Sequence, residues 1–229
     1  MTNLFSVFDP VSLFSLSLNW LSVILILIIL PNLFWLINNQ IRIVFSRIVK
    51  FVKIEFRAII GNTTSPGNIL LRLTLFIFIA LNNFFGLSPY TFTASSHLTF
   101  TMSLAIPIWI GHIIYAWSLT TTHILAHLVP TGTPYVLMPF IVLIELTRRV
   151  IRPLTLSVRL AANIVAGHLL LTLLSSQAPN LRLLIIIPLL ITLILLGTLE
   201  CAVALIQAYV FSVLSTLYLR EVDSAKLTI

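Results

Sequence analysis

The chain has 229 residues, 59% of them hydrophobic and only 8% charged, with a mean hydropathy of +1.11. Soluble domains carry about 25% charged residues, so a globular cytosolic enzyme and a disordered chain are both excluded, and the solvent is lipid. The net charge of +7 reads in such a protein as topology and headgroup contact, and no aromatic–basic pattern points to nucleic acid.

The N-terminal MTNLFSVFDP holds no Lys or Arg, which argues against a secretory signal and a transit peptide alike. The first apolar run, residues 16–37, is expected to be a retained span that tolerates Pro31. Residues 40–60 then carry Arg42, Arg47, Lys50, Lys53 and Arg57 three to five apart, with apolar residues between them. That spacing predicts a basic amphipathic helix on a membrane face; the plainer reading is a topology-setting loop. GNTTSPGN is turn chemistry. Further spans are expected at 69–87 and 98–119, joined by the Lys- and Arg-free SPYTFTASSH.

Two very long apolar stretches follow, 135–174 and 181–219. A straight helix of 39 residues is about 58 Å long, against a hydrocarbon core of about 30 Å. These stretches are expected to tilt steeply or break. The predicted fold class is therefore an all-α integral membrane protein, one membrane domain over 1–229, with five transmembrane helices and one surface helix. Counting Lys and Arg puts the 42–57 segment on the positive side and the N-terminus and the 88–97 loop opposite. The C-terminus, with Arg220 and Lys226, returns to the positive side.

Ionisable residues inside the last two stretches are functional candidates by default, because each is costly in hydrocarbon. Glu145, Arg148, Arg149 and Arg152 share one helix face. They form either an intrahelical ion-pair cluster or, with Glu145 as proton acceptor, the wall of an aqueous inlet. Arg159 has no acidic residue near it in sequence, and its guanidinium does not give up its proton. Ala162, Asn163 and Ala166 fall on its side of the helix, so it faces small side chains and one amide, a surface that lets another helix approach closely. His168, nine positions on, points to the opposite face. Glu200 and Gln207 lie nearly in line on the last stretch, beside a small-residue stripe of Gly197, Cys201, Ala204, Ala208 and Ser215. A His and a Glu on adjoining long helices suit a proton relay, although a lone intramembrane His is as readily a hydrogen-bonded core residue. Cys201 is the only cysteine, which excludes a disulfide framework and Cys-based metal sites. No metal, cofactor or nucleotide signature appears, so the remaining chemistry is the movement of a proton or ion.

PLTLSVRLAANIVAGHLL, with GTLECAVALIQAYVFSVLSTLYL and PYVLMPFIVLIELTRRVIRP, resembles the subunit a family of rotary F-type ATP synthases in its mitochondrial form. The resemblance covers most of the chain and is strongest over 131–220. It implies that the last two helices lie steeply tilted against the rotor ring of c subunits. It implies that Arg159 faces the ring carboxylate with Asn163 and Gln207 as polar neighbours. His168 and Glu200 would line the intermembrane half-channel, and Glu145 the matrix half-channel. The small residues Ala162, Ala166, Gly197, Ala204 and Ala208 would pack toward the ring. The implied partners are the c-ring, the other Fo stator subunits including the peripheral stalk, the bilayer and the translocated protons. The implied place is the mitochondrial inner membrane, and no cofactor is implied. Bacterial relatives carry Glu and His in the reverse order at the positions of His168 and Glu200, which favours the mitochondrial form. The competing readings are a membrane subunit of a respiratory redox complex, which would typically carry intramembrane lysines, and a purely structural assembly subunit.

Overall fold

The structure, a computed structural model, describes residues 8–11, 17–29, 40–61, 66–88, 91–127, 134, 137–177 and 183–227. The described secondary structure is all-helical: α1 (Leu21–Ile29), α2 (Gln40–Ile60), α3 (Pro66–Gly86), α4 (Leu98–His127), α5 (Met138–Gln177) and α6 (Leu183–Leu227), with short 3-10 turns at Leu18–Trp20 and Ala94–Ser96. Four of these are long and apolar enough to cross a bilayer: Gly67–Gly86, Leu98–Ser118, Met138–Ser176 and Ile186–Arg220. Of the first expected span, residues 17–29 are described; Pro31 and the rest of it lie outside the described residues.

The helix boundaries follow local chemistry. α2 ends at Gly61, whose positive φ of 82° and 3.0 Å bond from its N–H to the Arg57 carbonyl form a left-handed C-terminal cap. α3 then starts on Pro66, whose missing N–H costs nothing in a first turn. Pro107, Pro153 and Pro188 sit inside α4, α5 and α6 without ending them. The two long stretches are thus continuous helices. At about 1.5 Å per residue, the 45 residues of α6 span about 68 Å, and such a rod stays in hydrocarbon only if it crosses obliquely.

α6 packs against α3, α5, α4 and α2. Its inner face recurs every three or four residues: Glu200, Ala204, Gln207, Ala208, Phe211, Ser212, Ser215, Thr216 and Leu219 are all buried. Ala208 and Phe211 join Ile79 of α3, Ala105 of α4, and Leu156 and Leu160 of α5 in one core cluster. Ala208 has no exposed surface and Ala204 is 2% exposed, so helix backbones close on each other there. The buried hydroxyls of Ser157, Ser212, Ser215 and Thr216 donate to carbonyls three residues back in their own helices. The opposite side of α6 shows Ile187, Ile191, Ile194, Leu195, Leu199 and Ile206, all strongly exposed.

α2 buries Val52 and Phe56 against Leu73 of α3, while Arg47, Lys50, Lys53 and Arg57 are exposed along with Val44, Ile48, Phe51 and Ile54. A helix with a docked edge, a basic row and an exposed apolar row is built to lie at a headgroup boundary.

Candidate functional site

Arg159 is exposed on the outer face of α5, and no described carboxylate lies within ion-pair distance of it. Ala162 and Ala166 are exposed on the same side. The cation therefore stands over a strip of small side chains that leaves room for a neighbouring helix. Asn163 is half-buried and donates its Nδ2 to Gln207 Oε1 at 3.4 Å, joining α5 to α6 just behind the arginine.

His168 lies about two and a half turns of α5 beyond Arg159, turned inward. Its Nε2 stands 3.9 Å from Glu200 Oε1, with the side chains only 12% and 5% exposed. Both Glu200 oxygens and His168 Nε2 are buried and without a hydrogen-bond partner among the described residues. A separation of 3.9 Å is ion-pair range and exceeds a direct hydrogen bond. The backbone of Gly86, at the end of α3, approaches the same imidazole. Gly167 makes the pair possible. A Cβ there would lie 2.5 Å from Glu200 Oε1, 2.6 Å from its Cδ and 2.9 Å from its Cγ, so the carboxyl occupies the space where any other residue would carry its side chain.

Glu145 sits apart from this pair, in the first part of α5. It is 24% exposed and binds Arg148 at 3.0 Å and Arg149 at 3.8 Å. Arg152 holds its guanidinium carbon 5.4 Å from the centre of the Tyr218 ring on α6, a cation–π contact. The four charged residues of the shared face thus divide into an ion-pair triad and a cation packed on an aromatic ring.

The small residues expected on one ring-facing surface separate into two groups. Ala162 and Ala166 are exposed, and Gly197 is half-buried with open space where its Cβ would project. Ala204 and Ala208 instead face inward: Asn83 of α3 reaches the Ala204 carbonyl at 3.3 Å, and Ala208 is in the core. Their small size serves the packing of this chain on itself.

One buried charge escapes the sequence reading. Arg72 of α3 is 4% exposed, and its Nη2 donates to His112 Nε2 of α4. The other ring nitrogen of His112 bonds the Ile108 carbonyl, which assigns the neutral Nδ1–H tautomer. Arg72 Nε and Nη1 are buried with no partner among the described residues. The signal in the sequence was a single Arg in the apolar run NILLRLTLFIF. Of the other histidines, His97 packs against Trp20 and Phe92, while the side chains of His123 and His127 lie outside the described residues. Among the described residues no three His, Cys, Asp or Glu converge as a metal site.

Span-length helices that hold an imidazole, a carboxyl and guanidinium groups within the bundle define an integral-membrane protein with ionisable groups at bilayer depth, the class that moves ions or protons. The family described as ATP synthase A chain matches residues 15–220, and the chain belongs to this family. It is 52% identical over 223 residues to ATP synthase subunit a of Drosophila mauritiana, covering 97% of this chain and 100% of that protein. It is 51% identical to the Locusta migratoria subunit over 223 residues, with 97% and 99% covered. It is 52% identical to the Aedes aegypti subunit over 225 residues, with 97% and 100% covered. As a member of this family it is a multi-pass protein of the mitochondrial inner membrane. It is the proton-translocating, non-nucleotide-binding Fo subunit of ATP synthase, and works with the c-ring and other Fo subunits.

Proposed function

We propose that this chain is the stator that lends two offset aqueous half-channels to the rotating carboxylates of the c-ring. The observation that carries this reading is the division of its polar groups. Arg159 is an exposed cation with no described carboxylate partner, beside exposed Ala162 and Ala166, while His168 and Glu200 form a separate buried pair on the inner side of the same helix. A guanidinium at bilayer depth is costly unless it meets water or an opposite charge, and a carboxylate arriving on a neighbouring helix supplies one.

In this mechanism a proton enters from the intermembrane side by way of His168 and Glu200 and neutralises an ionised ring carboxylate. The neutral site then turns into lipid at little cost. After nearly a full rotation it reaches the outlet beside Glu145 and loses its proton to the matrix. Arg159 keeps the arriving carboxylate ionised, since an opposite charge within about 4–6 Å favours the charged form. Its positive charge also stands between the half-channels and blocks a direct proton leak. Asn163 and Gln207, bonded to each other at 3.4 Å, brace α5 against α6 behind the arginine. Each charge that crosses gains about 2.3 kcal/mol per 100 mV. The ring packs on Ala162, Ala166 and Gly197, and the peripheral stalk holds the chain against the torque.

Sidedness tests the reading. Positive-inside counting puts α2 on the matrix side, so the His168–Glu200 pair opens opposite to it. In a Cys201→Ser background, His168→Cys and Glu200→Cys chains should react with a membrane-impermeant thiol reagent added from the intermembrane side. Labelling of both from the matrix side alone refutes the assignment of the half-channels.

A further inference from the structure

The N-terminal segment reaches the His168–Glu200 pair. Phe8 packs perpendicular to the His168 imidazole, with ring centres 6.3 Å apart and an interplanar angle of 90°. The segment is tied down nearby: Asn19 donates its Nδ2 to the Asp9 carbonyl at 3.2 Å. The next residue, Trp20, packs on Phe92 at 5.5 Å and on His97 at 5.4 Å, and those two rings lie 5.3 Å from each other. Residues 8–11 and 17–20 are thereby held in place, the first at His168 and the second on the 91–97 loop. The imidazole meets Glu200 at one nitrogen, the Gly86 backbone beside it, and the Phe8 ring.

A histidine has two rotatable side-chain bonds, and its outer torsion is broad unless neighbours fix it. Packing by a perpendicular aromatic ring restricts that rotation and keeps water off the ring it covers. We infer that Phe8 is a positioning residue for His168: its ring keeps the imidazole turned toward Glu200 and covers the entrance to the pair. This rests on the reading of His168 and Glu200 as the proton entry. It gives the N-terminal segment a role in proton access.

The test uses the assembled ATP synthase in membrane vesicles of known sidedness. The probe is a membrane-impermeant thiol reagent acting on His168→Cys in the Cys201→Ser background, with and without a change at Phe8. Phe8→Ala should speed labelling at least about threefold, because the bulky ring that covers position 168 is gone, and Phe8→Tyr should restore the slow rate. Phe8→Leu keeps the apolar bulk, so its assembly is secure. It should raise labelling about twofold. With His168 intact, passive proton flux through Fo should change in Phe8→Ala and return in Phe8→Tyr. Labelling and flux that ignore all three Phe8 variants overturn the role of Phe8. Full proton flux in His168→Gln overturns the underlying reading of the pair instead, so the two failures are separable.

Discussion

His168 Nε2 and Glu200 Oε1 face each other at 3.9 Å across the α5–α6 interface, and the residue before the histidine is what admits the carboxyl. Because a Cβ at Gly167 would come within 2.5 Å of Glu200 Oε1, the flexible carboxyl, and not the helix, must move when that position gains a side chain. Gly167→Ala should therefore assemble normally yet lower proton-driven ATP synthesis at least about tenfold, in line with the loss of a positioned proton-transfer group. Adding Glu200→Asp, one methylene shorter, should recover part of the rate. Synthesis rates normalised to assembled complex check this; an unchanged rate in Gly167→Ala would show that the carboxyl need not occupy that space.

Arg159→Ala should insert and assemble, since the side chain is exposed and makes no described ion pair, and should abolish coupled synthesis. Arg159→Lys should fail nearly as badly, because a desolvated lysine deprotonates and lacks the planar fork of guanidinium. Proton-driven synthesis by assembled Arg159→Ala complexes at the normal rate would remove Arg159 from the mechanism.

The Arg72–His112 pair calls for a double-mutant cycle. His112→Leu leaves a buried guanidinium without its acceptor and should cost about 1–3 kcal/mol. Replacing both residues with Leu removes the buried charge and should bring stability back to within about 1 kcal/mol of the parent, as buried pairs commonly tolerate apolar replacement. Thermal unfolding of the detergent-solubilised protein supplies the numbers. A double mutant as damaged as His112→Leu alone would mean that Arg72 has a further task.

Small residues on the two sides of the helix pair should respond differently. Ala208 is fully buried, and Ala208→Leu should destabilise the chain itself by about 1–3 kcal/mol through overpacking. Ala162 is exposed, so Ala162→Leu should shift the chain's own stability by less than about 0.5 kcal/mol while weakening association with the ring. Folded yield set against ring co-purification separates the two effects; a stable Ala208→Leu chain would contradict the tight closure of α6 on α3 and α5.

How far the sequence could be read depended on whether a feature was local. Lengths, the basic face of α2 and the two long helices follow from apolar runs and residue spacing, which one segment carries by itself. The inward turn of His168 relative to Arg159 follows from helical periodicity alone. The small stripe on α6 was visible too, but the covering of Ala204 and Ala208 is set by Asn83 and Ile79 of α3, more than 100 residues earlier in the chain. Periodicity identifies a packing face without saying which neighbour fills it. Arg72 was hidden for the same reason: near the end of a span an isolated arginine looks as though it snorkels to headgroups, and only the approach of His112, 40 residues away, keeps it inside.

The pinned hydroxyls of α5 and α6 have a consequence for proton movement. A chain of hydroxyls conducts protons only when each group is free to swing from one neighbour to the next. Ser157, Ser212, Ser215 and Thr216 are all but sealed from solvent; the last three direct their hydrogen at a backbone carbonyl, and Ser157 has the Leu154 carbonyl at 2.9 Å and Met102 Sδ at 3.0 Å as its acceptors. Groups held in this way insulate rather than conduct. Buried and already bonded, these four groups offer no mobile hydrogen to a proton path through this part of the helix bundle.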